Sequence, residues 1–190
     1  MNFLLIPFTI VLFLSINEIR NFLLFRKSTF LYECCDIKFY RYKDKKDDDN
    51  AIAVTSIFFG NAIILLSDHV NDSVIYHEYG HLRQREEVYT ALFLLGILFS
   101  IAFQSYPFLL PVLLLSFRFF FMHLERSADL YAYKVYNTRY EPKHPERPKN
   151  RIERLKAWLF DSHAPDWVRI KDEYYNERKN IIYLFLKDIL

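Results

Sequence analysis

The amino-acid sequence predicts an α+β fold that is mainly helical, with a small β-hairpin or sheet, one N-terminal membrane helix and an inserted membrane helical hairpin. Apolar residues make up 52% of the 190-residue chain, and they come in long blocks rather than being spread as in a soluble core. Polar segments between the blocks have helical periodicity, and one short region has the composition of paired strands. We therefore expect a membrane-anchored domain.

The first apolar block runs from Phe3 to Phe25, with a polar interruption at 17–21. The whole block is long enough to cross a bilayer, so we expect an anchor at residues 1–27 and the main domain at residues 28–190. A cleaved signal peptide fits poorly, because no Lys or Arg precedes the block and no small-residue cleavage site follows it.

Two further apolar blocks, 89–105 and 108–122, flank the dipeptide Tyr106-Pro107. Each is somewhat shorter than the roughly 20 residues that a full span needs. The simplest interpretation is a membrane hairpin that turns at this dipeptide and is inserted in the main domain at about 89–122. A single helix kinked at Pro107 and a buried hairpin in a soluble core remain as alternatives.

Composition excludes several classes of function. The formal net charge is +2 and there is no basic stripe, so we expect no nucleic-acid partner. With 3 glycines, the chain lacks a Gly-rich phosphate loop. Cys34 and Cys35 are adjacent and poorly placed for a disulfide or for zinc ligation, which weakly favours a reducing compartment.

Two strands are predicted before the second apolar block, at Ala51–Phe59 and Asn61–Leu66, with a turn signal at Gly60 between them. The helix after them is predicted at about 74–88, with Asp72 or Ser73 as its N-cap. The other predicted elements are helices at 124–136, 151–160 and 166–182, loops at 43–49 and 141–149, and an apolar tail at 183–190.

The helix predicted at 74–88 carries the motif His77-Glu78-Tyr79-Gly80-His81. Residues four apart lie on one face of a helix, so both imidazoles can point at one ion. Glu78 lies beside them and can take a proton from a water molecule that the metal activates. This HExxH arrangement is typical of zinc hydrolases and predicts a zincin-like catalytic domain. An amphipathic helix with two incidental histidines is the alternative.

A catalytic zinc needs three protein ligands, so the chain has to supply one more. No histidine lies six residues beyond His81, where the extended form of the motif places it. Glu125 is the better candidate, because it lies on a predicted helix with Asp129 one turn further along the same face. On its own, a Glu on such a helix is more often a solvated surface residue.

The order of four motifs resembles the HtpX-like integral membrane metalloproteases, relatives of the CAAX prenyl proteases. The motifs are Asn50-Ala51-Ile52-Ala53, the HExxH motif, Glu125-Arg126-Ser127-Ala128-Asp129, and His163-Ala164-Pro165 followed by Arg169-Ile170. The similarity covers roughly residues 50–170. The chain departs from the family pattern at Ile52, where Phe is usual, and at Ala164, where Pro is usual.

The resemblance implies a zinc metalloendopeptidase that hydrolyses peptide bonds of unfolded or membrane-associated proteins. It implies that His77, His81 and Glu125 bind one zinc ion per chain. It also implies that Glu78 is the general base and later the proton donor. Three alternatives remain. They are a zinc-stabilised membrane signalling or adaptor protein without turnover, a processing protease of the prenyl-protein type with narrow specificity and, last, a purely structural membrane protein without a metal.

Four further residues have roles that the resemblance implies. Asp129 and Arg169 pair and fix the ligand helix, and His163 stabilises the oxyanion of the tetrahedral intermediate. Asn50 helps to hold the substrate backbone at a strand edge. From the residues themselves, we expect the strand Asn61–Leu66 to accept an extended substrate at its free edge.

If Glu125 is a ligand, an even number of membrane crossings has to separate it from His81, and the predicted hairpin meets this requirement. Arg118, in the second arm, is expected to snorkel or pair. By the positive-inside rule we expect a multi-pass protein of the cell membrane, with the zinc at the bilayer surface on the cytoplasmic side. The basic residues that support this orientation are Arg20, Arg26, Lys27, Arg83, Arg85 and Arg126.

Overall fold

The computed structural model describes residues 4–43, 50–142 and 145–190. Three parts of the predicted elements lie outside these ranges: residues 1–3 of the anchor, residues 44–49 of the first loop and residues 143–144 of the second. The chain divides into two compact units, Met1–Leu115 and Ser116–Leu190. The domain boundary predicted after residue 27 stays a prediction.

The fold is α+β and mainly helical, with one small sheet. A 3-10 turn at Pro107–Leu109 joins the third and fourth helices. In chain order the helices and strands are α1 (Leu5–Arg26), β1 (Ser28–Cys34), β2 (Ile37–Tyr42), β3 (Ala51–Ser56), β4 (Gly60–Leu65), α2 (Asp72–Leu82), α3 (Arg85–Ser105), α4 (Leu110–Tyr136), α5 (Arg151–Phe160), α6 (Asp166–Arg169) and α7 (Ile181–Ile189).

Three segments of the described residues are long and apolar enough to cross a membrane, namely Leu5–Arg26, Arg85–Ser105 and Pro107–Tyr136. They overlap the three predicted apolar blocks, and the third runs beyond its predicted end at residue 122. The helix ends before Tyr106, whose φ of −144° and ψ of 61° are not helical. Because Pro107 disfavours the α conformation in the residue before it, the chain forms two separate helices here rather than one kinked helix.

Helices α1 and α3 pack closely against each other in the first unit. A Cβ atom added to Gly96 would lie only 2.7 Å from the Ile10 Cα atom. Thr9 is 4% exposed, and its hydroxyl donates a hydrogen bond of 2.7 Å to the carbonyl of Gly96. Small residues and interhelical hydroxyl bonds of this kind are typical of packed membrane helices.

The sheet has four strands in the order β1-β2-β4-β3, with β2 and β4 parallel and the other pairs antiparallel. The sequence prediction misses β1 and β2. Both faces of β2 are covered, since Phe39 and Tyr40 pack into different clusters, and this removes the apolar–polar alternation that marks a half-exposed strand. The β1–β2 turn places Cys35 and Asp36 at φ of 54° and 62°, without the usual Asn-Gly signal.

Each face of the sheet packs against a helix. The face that meets α2 buries Phe39, Ala51 and Ile63 together with Leu82 of the helix. The opposite face packs against the end of α1 through Leu24 and Phe25; its buried residues are Val54, Ala62, Ile64 and Leu66. Helix α2 is thus held on the sheet by its apolar side, and its histidines lie on the polar side.

The helix predicted at 74–88 is divided into α2 and α3. The N–H groups of Arg83 and Gln84 bond to carbonyls three residues back, at 3.3 and 3.0 Å, so the last turn tightens and ends the helix. The predicted N-cap at Asp72 or Ser73 is wrong, because Asn71 occupies the cap position. The strand predicted at Ala51–Phe59 ends earlier, at Ser56.

The second unit has its own core, in which Met122, Trp158 and Tyr174 are completely buried. The helix predicted at 151–160 is confirmed, with the Asn150 side chain capping its first turn. The helix predicted at 124–136 is the end of the longer helix α4.

The helix predicted at 166–182 is wrong. Helix α6 stops at Arg169, and turns follow until α7 begins at Ile181. The Arg126 side chain donates to the carbonyls of Tyr174 and Asn176 at 2.8 and 2.7 Å. These hydrogen bonds come from a residue far away in sequence and hold the segment in turns, which a local pattern does not reveal.

The predicted apolar tail forms most of α7, which packs into the core of the second unit through Leu184. Near its end, the Asp188 carboxylate is 4% exposed and accepts hydrogen bonds from three side chains. The indole N–H groups of Trp158 and Trp167 donate at 3.0 and 3.1 Å, and Arg147 donates at 2.7 Å. The carboxylate therefore ties α7 to three other segments of the unit.

Gly96→Ala should lower the free energy of unfolding, because the added methyl group meets the backbone of Ile10 and forces α1 and α3 apart. We expect a loss of about 1–3 kcal/mol, measured from denaturant unfolding in detergent. Leu98→Ala is the matched control, since Leu98 lies on the same helix and is 45% exposed. Equal stability of Gly96→Ala and wild type would contradict the close packing.

Candidate metal centre

Helix α2 directs two imidazoles to one point. His77 and His81 lie one turn apart, and their Nε2 atoms are 3.0 Å from each other. Two nitrogens bound to one tetrahedral zinc ion at about 2.0–2.1 Å would be separated by about 3.3 Å. The separation of the two Nε2 atoms therefore fits two ligands of a single ion.

The other ring nitrogen of His81 contacts Gln84, a residue that no sequence motif marks. Gln84 is 7% exposed, and its Oε1 atom lies 3.0 Å from His81 Nδ1. An amide oxygen can only accept, so the proton of the neutral imidazole is on Nδ1 and the Nε2 lone pair is left for a metal. A Gln three residues after the second histidine lies on the same helical face, which is the signal that could have found it.

Glu78 lies beside the two histidines but is turned towards the sheet. Its side chain is buried, with 7% exposure. Its Oε2 atom accepts a hydrogen bond of 2.5 Å from the backbone N–H of Ala53 in β3. The carboxylate of the predicted general base thus accepts a hydrogen bond from the main chain of β3.

The substrate edge predicted on Asn61–Leu66 is wrong. The corresponding strand, β4, lies inside the sheet and pairs with β2 on one side and β3 on the other. The outer strands are β1 and β3, and in β3 the Ala53 N–H points away from β4 towards Glu78. Strand composition predicts which segments form strands but not their order in a sheet, so the free edge could not be assigned from the sequence.

Both ends of the outer edge of β3 are occupied by side chains. Asn50 directly precedes the strand, and its Oδ1 atom accepts from the N–H of Ala51 at 2.9 Å. At the other end, the Thr55 carbonyl accepts from the Asn21 side chain at 3.0 Å and from the Tyr89 hydroxyl at 3.1 Å. The edge between these ends is centred on Ala53.

In the second unit, α4 and the loop after α5 bring together Glu125 and His163. His163 Nε2 lies 2.8 Å from Glu125 Oε2, and its Nδ1 atom lies 2.7 Å from the hydroxyl of Ser162. A histidine that bonds to a ligating carboxylate fixes the direction of that carboxylate. The structure therefore gives His163 a direct contact with a predicted ligand, and Ser162 is a neighbour that sequence reasoning misses.

Arg118 fixes the loop that carries His163. Its guanidinium donates to the carbonyls of Trp158 and Leu159 at 3.1 Å, to Ser162 at 3.3 Å, and to Asp161. These groups are the last carbonyls of α5 and the first of the loop, which lack helical partners. The expectation that Arg118 has to snorkel or pair is met by pairing with main-chain oxygens.

The pair implied for Asp129 and Arg169 forms in the second unit. Two hydrogen bonds of 2.9 and 2.8 Å join their side chains, which are 3% and 4% exposed. Tyr174 donates a third bond to Asp129, at 2.8 Å. Burial disfavours the charged form of Arg169, but the Asp129 carboxylate beside it raises the pKa of Arg169 above its usual value. Burial, with Asp129 beside the hydroxyl, raises the pKa of Tyr174 well above its usual value.

Of the described residues, His77 and His81 in the first unit and Glu125 in the second each offer one atom of a kind that binds metal ions. His69 and His123 are exposed, and His144 lies outside the described residues. Two neutral imidazoles and one carboxylate are the donor set that catalytic zinc takes in many hydrolases.

Comparisons with known protein families, with curated proteins and with solved structures find no match for this chain. The resemblance to the HtpX-like proteases therefore rests on the four motifs alone. Function has to be argued from the chemistry of the site.

Asp129→Asn should lower the free energy of unfolding by about 3–5 kcal/mol, because it leaves Arg169 as a buried charge without its carboxylate. Chemical denaturation in detergent measures the loss. Asp172→Asn is the matched control, because Asp172 pairs with Arg139 in the same unit but is 89% exposed. We expect the control to lose less than about 1 kcal/mol. Similar losses in the two variants would contradict a buried structural pair.

Proposed function

We propose that this chain is a membrane-bound zinc metalloendopeptidase that hydrolyses peptide bonds of unfolded or membrane-associated proteins. The observation that carries the proposal is the convergence of two imidazoles on α2, with a buried carboxylate between them in sequence and an outer strand beside that carboxylate. A structural zinc site would need the imidazoles but neither the carboxylate nor the strand edge.

In this proposal His77, His81 and Glu125 hold one zinc ion per chain. The 3.0 Å separation of the imidazole nitrogens supports the first two ligands, and Gln84 supports the required tautomer of His81. The contact of Glu125 with His163 supports its role as third ligand, because ligating carboxylates are usually held by a hydrogen bond. Zinc in this site would polarise the scissile carbonyl and lower the pKa of the attacking water.

Glu78 moves the protons of the reaction. It takes one proton from the attacking water as the water oxygen bonds to the carbonyl carbon, and it delivers that proton to the amide nitrogen. The C–N bond then breaks, and the products are a carboxylic acid and an amine. The reaction is a hydrolysis that consumes one water molecule for each bond cleaved. It therefore needs no oxidant or reductant.

In this proposal the substrate pairs with the outer edge of β3. This edge replaces the edge of β4 predicted from the sequence. An extended peptide that adds to this edge takes the N–H of Ala53 and so displaces the Glu78 carboxylate from it. In this proposal Glu78 turns to water only when a substrate backbone is in place. Recognition of main chain rather than side chains suits unfolded substrates.

Asn50 and His163 act on the substrate in this proposal. Asn50 lies at the start of the outer strand, where its amide can hold the substrate backbone. His163 is 36% exposed, and its imidazole would donate a hydrogen bond to the oxyanion. Asp129 and Arg169 hold α4 and α6 together, so that Glu125 and the loop of His163 keep their positions relative to each other.

The proposed location is the cell membrane, with several passes and the catalytic site on the cytoplasmic side. The three apolar helices support membrane insertion. Arg85 at the start of α3 and Arg26 at the end of α1 support the orientation.

Glu78→Gln should abolish cleavage of an unfolded protein such as casein while zinc stays bound. We expect the rate to fall at least about a hundredfold, because a general base contributes this much or more. Activity and zinc content are measured on detergent-purified protein with added zinc. His77→Ala should lose both, and His69→Ala, at an exposed histidine, should lose neither.

Equal cleavage by wild type and Glu78→Gln would refute the role of Glu78. Zinc bound to both proteins with no cleavage by either would favour a zinc-stabilised signalling protein or a protease with narrow specificity.

Ala53→Pro should raise KM for peptide substrates several-fold, because it removes the outward N–H, and one main-chain hydrogen bond contributes about 1 kcal/mol. Pro is tolerated on an outer strand, but loss of the N–H also removes the hydrogen bond to Glu78, so zinc content and the free energy of unfolding are measured beside KM. Ala53→Gly is the matched control and keeps the N–H group. An unchanged KM in Ala53→Pro would show that substrates bind elsewhere.

A further inference from the structure

The turn between β3 and β4 exposes three consecutive large apolar residues, here called the hairpin tip (residues 57–59). Ile57 is 55% exposed, Phe58 76% and Phe59 39%. Phe59 packs against Phe22 and Phe25 of α1, with ring centroids 6.2 and 5.0 Å apart. The tip therefore lies beside the last turns of a helix that is long and apolar enough to cross a membrane.

The backbone N–H groups of the hairpin tip donate hydrogen bonds to side chains of the protein. The N–H of Ile57 donates to Glu18 at 3.3 Å, and those of Phe58 and Phe59 both donate to the Ser56 hydroxyl at 3.1 Å. Ser56 in turn donates to Glu18 at 2.6 Å. An exposed turn in water has no need of such partners, whereas a turn in an apolar medium requires them.

The level of the hairpin tip along α1 agrees with the boundary of a bilayer. Glu18 lies eight residues before the end of α1, which corresponds to about 12 Å along the helix axis. It belongs to the polar interruption at 17–21, where the composition of α1 changes. On the outer surface of α1 at this level, Ile19 and Phe22 are 57% and 49% exposed. Aromatic residues are enriched at this depth in membrane proteins.

We propose that the hairpin tip is a membrane anchor that inserts its three apolar side chains at the boundary between lipid headgroups and acyl chains. The occupant of this surface is lipid, because the apolar surface of α1 continues into the tip and the N–H groups of the tip donate to Glu18 and Ser56. The β3–β4 turn then faces the bilayer, and the outer edge of β3 rises from the membrane surface. This inference rests on the proposed membrane insertion but not on proteolysis.

Depth-dependent fluorescence quenching tests the proposal in the full-length protein. Cys34 and Cys35 are exposed and are first replaced by Ser, and single cysteines are then labelled with an environment-sensitive dye. Phe58→Cys probes the hairpin tip, and His69→Cys probes the polar segment that follows the other end of β4. Leu12→Cys, at a position of α1 that is 42% exposed, reports membrane insertion itself. The proteins are reconstituted in phosphatidylcholine vesicles that carry nitroxide on the headgroup or on the acyl chain.

We expect the label at Phe58→Cys to be quenched severalfold more strongly than the label at His69→Cys, with the label at Leu12→Cys quenched from the acyl chain. Quenching at Leu12→Cys but not at Phe58→Cys would overturn the anchor and leave membrane insertion intact. No quenching at Leu12→Cys would overturn insertion and the anchor together. Equal quenching at Phe58→Cys and His69→Cys would also overturn the anchor. Ile57→Cys repeats the test at a second position of the tip.

Discussion

The hydrogen bond from Ala53 to Glu78 joins β3 and α2, and the placement of the candidate site in the first unit depends on these two elements. It connects the outer strand of the sheet to the polar side of α2, while the apolar side of the same helix packs on the sheet through Leu82. The helix is therefore fixed in rotation as well as in position. Because the histidines lie on this helix, their common direction follows from the same two contacts.

Three polar residues on the apolar helices bond to other elements of their unit. Thr9 bonds across to α3, Asn21 bonds to the outer strand, and Arg118 bonds to the end of α5. A polar group in an apolar medium costs several kcal/mol unless it is satisfied. The interruptions in hydropathy thus mark the places where each helix is attached to the rest of its unit.

The parts of the structure that could be predicted are those determined by local sequence. The spacing of His77 and His81 is fixed by the helix itself, and α5 has both its periodicity and its Asn150 cap within the segment. Two features could not be predicted, because distant residues determine them. Strand β4 is internal only because β2 pairs with it, and Arg126 holds the turns after α6.

The buried pair of Asp129 and Arg169 has a consequence for biogenesis. The two residues are 40 positions apart, so the carboxylate leaves the ribosome well before its partner. During this interval Asp129 lies on a helix that is mostly apolar, and an unpaired carboxylate would resist transfer into lipid. We therefore expect the end of α4 to stay in water until α6 has been synthesised. On this expectation, the order of synthesis limits how much of this long helix can enter a bilayer.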